Sequence, residues 1–492
     1  MNQHTTISGK TALQTAEVLF DTFRKEIAED LAAGRLADGI IGKDLMIDGP
    51  FGPQRMIYAD YAASGRALRQ VENFVLEHVL PVYANPHTQA SYCGRAINAL
   101  RKVARREIAK YCGAGPDYAV IFAGTGATCG INRLVNLFGL NRSHPEGERP
   151  LVVIGPYEHH SNLLPWRECG AELVELAEAA TGGPDLNALE AIFTRSAGRK
   201  VTCSFSAGSN VTGALTDVEA VTRMANRHGA RIIWDYAGAG PYLPIAMRPG
   251  QGAQIDALVL SPHKFVGGPG SSGVMIVRRD AVEIETPSLP GGGTVSFVSP
   301  DTHDYSKDIQ AREEAGTPNA IADIRAALAI IVRDCMARAD LDRHSDQLAR
   351  RALDAWRANP RLELLGADHD AVLPIISFRI QDGQGRQVHH QLFTRLLSDR
   401  YGVQARGGCA CAGPYVHRLL DITPAESEAM RQAILSGKEL EKPGFVRVNF
   451  SALMDDDDAT WVIDAVNQLS DEIESLAPCY CGDSATAIFN PV

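Results

Sequence analysis

The sequence of 492 residues contains no run approaching the roughly 18 unbroken apolar residues of a membrane-spanning helix, and its opening MNQHTTISGK lacks the apolar core of a secretory leader. A cytoplasmic protein with no membrane partner is therefore expected. Positive charge is also short. The 48 Lys and Arg face 59 Asp and Glu, for a net charge of −11, which leaves no basic footprint for nucleic acid. Ten cysteines across this length are too scattered for a disulfide framework, so free thiols are expected. The remaining composition, 45% hydrophobic and 22% charged, is that of a globular chain long enough to bury a large core in two domains.

What is present is a regular alternation. Strand-like apolar runs occupy 119–123, 151–154, 172–176, 201–205, 230–234, 257–260 and 273–277, and helix-patterned segments at 127–139, 161–170, 185–196 and 216–228 separate most of them. Such βα alternation predicts an α/β fold, a mostly parallel seven-stranded sheet with helices on both faces. Only about a dozen residues part the last two runs, too few for a helical crossover, so the final strand is expected to be antiparallel. Upstream, residues 11–33 carry Leu13, Ala16, Leu19, Phe20, Phe23, Ile27 and Leu31 at helical spacing. Residues 1–54 thus read as an extension whose amphipathic helix packs on the body. Residues 55–330 are expected to form a large domain and 331–492 a smaller α+β domain, with a bridging helix at 320–338. The smaller domain would have strands at 373–380 and 445–451 and helices at 387–399 and 458–476, the last preceded by four aspartates, 455–458.

Ligands of such sheets gather at the carboxyl ends of the strands, so the residues after each strand carry the chemistry. After the first comes GTGATCGIN (124–132), a small-residue turn entering a helix. Its first amides, with the Thr128 hydroxyl, can cradle a phosphate or form an ordinary βα turn. YEHHSN (157–162) offers two histidines that could cap, bind a metal, stack on a ring or simply lie at the surface. SAGSNVTG carries Asn210, equally readable as a turn asparagine. IIWDYAGAG places Asp235 directly after a buried run, which is costly unless a cation meets it, and a protonated pyridine nitrogen would be such a cation. Lys264, in SPHKFVGGPG, stands beside glycines that let a ligand come close. It suits a Schiff-base lysine, the bland reading being a solvated loop lysine. Phosphate cradle, aspartate and lysine at successive strand ends are together more specific than any one of them.

These motifs, in this order, resemble the class V aminotransferase family of pyridoxal-phosphate enzymes, and within it the cysteine desulfurases and selenocysteine lyases, over roughly residues 55–475. GATCGIN is similar to the family's phosphate turn, EHHSN to its ring-stacking histidine motif, SNVTG to its asparagine motif, IIWDYAGA to its aspartate motif and SPHKFVGGPG to its lysine motif. GGGT (291–294) and EAGTPN (314–319) also match. The resemblance implies the PLP-dependent transferase fold (fold type I) with pyridoxal 5'-phosphate as cofactor. It implies that Lys264 forms the Schiff base, Asp235 pairs with the pyridine nitrogen and His159 stacks on the ring. Ala127, Thr128, Ser261 and His263 would hold the phosphate, Asn210 would lie near the ring hydroxyl, and Thr294 would reach the phosphate of the other subunit of a homodimer. Gly238 stands where the family often has a glutamine contacting the ring oxygen, so that contact is lost or replaced.

RGGCACAGPY resembles the family's active-site loop, in which an arginine precedes a nucleophilic cysteine by five residues, the spacing of Arg406 and Cys411. As bare residues, Cys409 and Cys411 are equally two small loop cysteines. Arg447 matches the arginine that grips the substrate carboxylate, with Arg406 as a second substrate-binding group. A longer, helix-patterned insertion separates Cys411 from Arg447 than compact desulfurases have. The implied activity is that of a cysteine desulfurase, taking sulfur from L-cysteine, or selenium from selenocysteine, to leave alanine. Lys264 and His159 would move protons, and Cys411 would take the sulfur as a persulfide for a sulfur-acceptor protein. Two alternatives stay open. One is another class V enzyme (aminotransferase, epimerase or C–S β-lyase) with Cys411 a bystander. The other is a noncatalytic sulfur-handling or zinc-binding scaffold, although the C-x-C spacings at 409–411 and 479–481 are not those of a usual zinc knuckle and no metal is expected.

Overall fold

The apolar runs pair into one sheet, as residues that cannot face water must. The computed structural model describes residues 11–143, 149–366, 368–369 and 372–492. Its strands are β1 (Tyr118–Gly124), β2 (Leu151–Ile154), β3 (Glu172–Glu175), β4 (Val201–Ser206), β5 (Arg231–Asp235), β6 (Ala257–Leu260) and β7 (Gly273–Arg278). They form a seven-stranded sheet in the order β1-β7-β6-β5-β4-β2-β3, and β7 alone runs against its neighbours. Every residue of β2, β4 and β6 is buried, the pattern of strands covered on both faces.

The helices that position the site are α1 (Ala12–Ala32), α2 (Tyr92–Tyr111), α3 (Gly126–Leu137), α4 (Leu186–Arg195), α5 (Val218–Arg227) and α6 (Ala320–Arg338). Asp185 and Asp217 start α4 and α5 by accepting first-turn amides, so each helix begins where its aspartate can cap it. α1 docks through Phe20 and Phe23, edge-on to Phe74 at 5.3 and 5.6 Å, and Arg24 ties it to Glu107 of α2 and Asp334 of α6.

The helix expected over 161–170 is not continuous. A tight turn at His160–Asn162 and a five-residue helix, Leu164–Glu168, replace it. Pro165 has no N–H and fits only a first helical turn, so the helix cannot begin earlier. The Asn162 side chain then fastens the turn inward. Its Oδ1 accepts from Trp166 Nε1 at 3.0 Å and Ser204 Oγ at 2.6 Å, and its Nδ2 donates to Glu158.

A second sheet, four-stranded and antiparallel, holds β8 (Leu362–Leu364), β9 (Ile375–Ile380), β10 (Arg406–Gly408) and β11 (Phe445–Asn449) in the order β8-β9-β11-β10. It is packed by α7 (Leu341–Arg357), α8 (His390–Tyr401) and, after the insertion that forms α9 (Gly413–Leu419) and α10 (Pro424–Leu435), by α11 (Asp456–Leu476). Asp455 caps α11, and Asp456, Asp457 and Asp458 fill its first turn, where carboxylates meet the positive end of the helix dipole.

A strap, residues 57–65, ties the two sheets. Ile57–Tyr58 pairs in parallel with Val403–Gln404, and Ile57 and Ala59 are buried in the core of the smaller sheet. At its far end Gly65 N donates to His263 O at 2.9 Å. Among the described residues no helix is long and apolar enough to cross a membrane.

Candidate active site

A cavity of about 260 Å³ opens at the carboxyl ends of β4, β5 and β6. Ala127, Thr128, His159, Asn210, Asp235, Ser261, His263, Lys264, Arg406, Cys411 and Arg447 all line it, so side chains from both sheets converge on one space. Thr294 does not line it. This threonine donates to Gly291 O at 2.6 Å, beside the hairpin formed by Val295–Val298 and His303–Tyr305.

One wall is the start of α3. Thr125 precedes the helix without a side-chain cap, and the Ala127 amide is met by Ser261 Oγ at 3.0 Å. Gly126 has φ 65°, and a Cβ there would stand 3.0 Å from Ser261 Oγ and 3.1 Å from His263 Cε1. Only glycine lets the helix begin this close to them. Amides at a helix start, with the Thr128 and Ser261 hydroxyls, make an anion cradle.

At the end of β5, Asp235 is 4% exposed, and the only hydrogen bond to its carboxylate among the described residues comes from Ala237 N at 2.8 Å. Burial, opposed by that amide and by the charge of Lys264, holds its carboxyl above the usual range. Lys264 itself is brought down to about 8, chiefly by burial, with Arg447 and Arg406 adding to the effect and Asp235 and Asp60 opposing it. A large fraction of this amine is therefore neutral near pH 8 and able to attack a carbonyl.

His159 Nδ1 accepts from Ser161 N at 3.0 Å, which leaves the ring proton on Nε2. Burial and the neighbouring Lys264 charge push its pKa down to about 3, so the imidazole is neutral at physiological pH. Beneath it Glu158 is buried among Ser206 N at 2.9 Å, Ser206 Oγ at 2.7 Å and Asn162. Burial outweighs those donors and lifts its carboxyl to about 8.

The model of the class V aminotransferase family matches residues 57–460. The chain belongs to this family. It is similar to the cysteine desulfurase of Klebsiella pneumoniae, 29% identical over 369 residues that cover 74% of this chain and 86% of the relative. It is also similar to the cysteine desulfurase of Pectobacterium atrosepticum, 29% identical over 368 residues covering 73% and 85%. Its fold resembles that of the Thermococcus onnurineus cysteine desulfurase, with a TM-score of 0.68, 22% identity and coverage of 84% of this chain and 94% of that one. The Escherichia coli cysteine desulfurase structure gives a TM-score of 0.67 at 24% identity, over 84% and 94%. The expected fold type I architecture is thus shown, and the chain is a pyridoxal-phosphate-dependent enzyme of the class V family.

The residues present fit that cofactor. They supply a helix-start cradle for its phosphate, a buried carboxylate with a single backbone partner for its pyridine nitrogen, and an amine of lowered pKa for its aldehyde. Gly238 also lines the cavity, and a Cβ there would meet only Gly208 O at 3.5 Å and Asn210 Cβ at 3.7 Å, so the family's glutamine side chain is replaced by open space.

The loop that carries Cys409 and Cys411 borders the cavity in a strained form. Ala410 and Cys411 take φ 48° and 55°, a region that costs a residue with a side chain about 1–2 kcal/mol. Three bonds with the turns that follow β2 and β4 hold it there. Asn210 Nδ2 donates to Ala410 O at 2.8 Å, His160 N donates to Cys411 O at 2.8 Å, and Gly413 N donates to His160 Nε2 at 3.0 Å. Asn210 thus spends its amide on the cysteine loop. Cys411 is exposed, and Cys409 less so. Among the described residues no three His, Cys, Asp or Glu side chains form a metal-binding group, so Cys409, Cys411, Cys479 and Cys481 do not make one.

Ser161, Ser206 and Asp60 escaped the sequence reading. The first sits inside EHHSN and the second ends a strand run, places where a search for polar residues at strand ends finds them. Asp60, in YADYAASG, follows a short strand much as Asp235 does, but nothing local marks its partners.

Proposed function

We propose that this protein is a cysteine desulfurase that removes sulfur from L-cysteine, leaving alanine and a persulfide on Cys411. The observation that carries this reading is the convergence of Cys411 and the Arg406–Arg447 pair on the cavity of Lys264. Bound pyridoxal phosphate supplies an electron sink that labilises bonds at the substrate's Cα and Cβ. Ala127, Thr128, Ser261 and His263 would hold its phosphate, and the Asp235 carboxylate would pair with its pyridine nitrogen. The Arg406 fork receives the substrate carboxylate, and the buried Arg447 guanidinium beside it adds positive charge to that site. The Lys264 amine would remove the Cα proton and, once Cβ has been protonated, return it to Cα to complete alanine. The Cys411 thiolate attacks the substrate sulfur, forming the Sγ–S bond as the Cβ–S bond breaks. The electron pair left on Cβ takes a proton relayed from solvent through the His159 imidazole, which gives up Nε2–H only as another proton reaches the ring. A thiol acceptor, protein or small molecule, then takes the sulfur from Cys411.

A homodimer belongs to the same reading. Leu289, Phe297 and Val298, 56, 54 and 62% exposed around the Thr294 loop, support its docking on a second copy.

The test measures alanine and sulfide released from L-cysteine with a thiol reductant, for native holoenzyme and Cys411→Ala. Equal amounts from the native protein and neither from the variant are expected. Absence of both products from the native holoenzyme would overturn the reading. Pyruvate with ammonia would replace it by β-elimination.

A further inference from the structure

Arg406 and Arg447 stand directly opposite each other in the β10–β11 ladder. Like charges in that position repel across the strands, and Arg447, 3% exposed, has almost no water to screen it. Asp60 lies between them. Arg447 Nη2 donates to its Oδ1 and Arg406 Nε to its Oδ2, both at 2.9 Å. Asp60 is itself 8% exposed and belongs to neither strand. The strap brings it there, held on one side by Ala59 N donating to Gln404 O and Asn449 N donating to Ala59 O, both at 2.9 Å. The Asp60 carbonyl also closes the turn that follows, accepting from Ala63 N at 3.0 Å and from Tyr58 Oη at 3.2 Å, and Ala62 and Ala63 line the cavity.

The two arginines are left unequal. Arg447 commits Nη1 to Asn210 O at 2.8 Å and Nη2 to Asp60. Arg406, its side chain 49% exposed, uses only Nε among the described residues, so both its terminal nitrogens stay open toward the cavity it lines.

We propose that Asp60 is the positioning residue of the substrate-carboxylate site, clamping the opposed guanidiniums so that Arg406 presents an open fork to the α-carboxylate of an amino acid. The proposal rests on the assignment of Arg406 and Arg447 to that carboxylate. Two cations and one fixed carboxylate leave one positive charge, the complement of one α-carboxylate. The clamp also fixes where that carboxylate sits relative to Lys264, because the same strap reaches the Lys264 turn through Gly65 N and His263 O.

The experiment titrates the holoenzyme with L-alanine and with L-alaninamide, which keeps the amine and lacks the carboxylate, following the cofactor's absorbance. Asp60→Asn removes the charge; Asp60→Glu keeps it but moves it by one methylene in a site with little room. For Asp60→Asn the dissociation constant of L-alanine is expected to rise about tenfold or more, with alaninamide changing by less than about threefold, because the lost bonds are charge-assisted. Asp60→Glu should show the same selective loss at about fivefold or more. Equal losses for both ligands, or native L-alanine binding in Asp60→Glu, would overturn the proposal. If Asp60→Asn fails to fold, Asp60→Glu decides alone. L-alanine binding involves no sulfur chemistry, so a protein that yields no sulfide yet shows the selective loss keeps this inference and loses only the desulfurase reading.

Discussion

Replacing Gly65 by alanine perturbs the strap at the point where it meets the lysine turn. The new Cβ would fall 1.9 Å from Phe265 O, 2.6 Å from Phe265 C and 3.1 Å from Lys264 C. All three are backbone atoms, so no side-chain rotation relieves the overlap. Restoring ordinary contact, about 3.5 Å, needs a displacement of about 1.5 Å by the strap or the turn. Either movement breaks the bond from Gly65 N to His263 O, worth about 1 kcal/mol, and adds an overpacking cost of about 1–3 kcal/mol. A destabilisation of about 2–4 kcal/mol is expected, together with a loss of turnover of up to about a hundredfold if Lys264 itself moves by about 1 Å. The assay pairs the urea midpoint with the visible absorbance of the lysine-bound cofactor. A Gly65→Ala protein with native midpoint, absorbance and turnover would refute the close packing of the strap on Lys264.

Two further outcomes follow from the site. In cofactor-free protein the neutral Lys264 amine is the nucleophile, so the rate of pyridoxal-phosphate capture should climb with pH and level off above about 8. A rate still rising toward the ordinary lysine value of 10.5 would show that burial does not govern this amine. Asn210→Ala removes one of the bonds that hold the left-handed Ala410–Cys411 turn, a loss of about 1 kcal/mol, so hydrogen exchange over 409–412 should quicken about fivefold. Unchanged exchange would mean that the other bonds suffice.

The sheet was legible in the sequence because strands buried on both faces must be unbroken apolar runs, and the runs at 151–154 and 257–260 coincide with β2 and β6. The antiparallel β7 was legible too, because a short connection cannot carry a crossover. The lysine, the aspartate and the phosphate turn stood out because their chemistry needs strand ends, and strand ends are local. The helix expected over 161–170 failed for a local reason that periodicity does not register, a proline that fits only a first turn.

Only the tertiary structure decided which of these side chains meet. Asp60 lies 346 residues from Arg406 and 387 from Arg447, and the two arginines face each other only because β10 and β11 pair in one particular register. Asn210 reaches the cysteine loop across 200 residues. Residue type and periodicity determine what each segment must bury and what chemistry it can offer. Register, strap and loop conformation depend on contacts between distant segments, whose energies exist only once the chain has closed on itself.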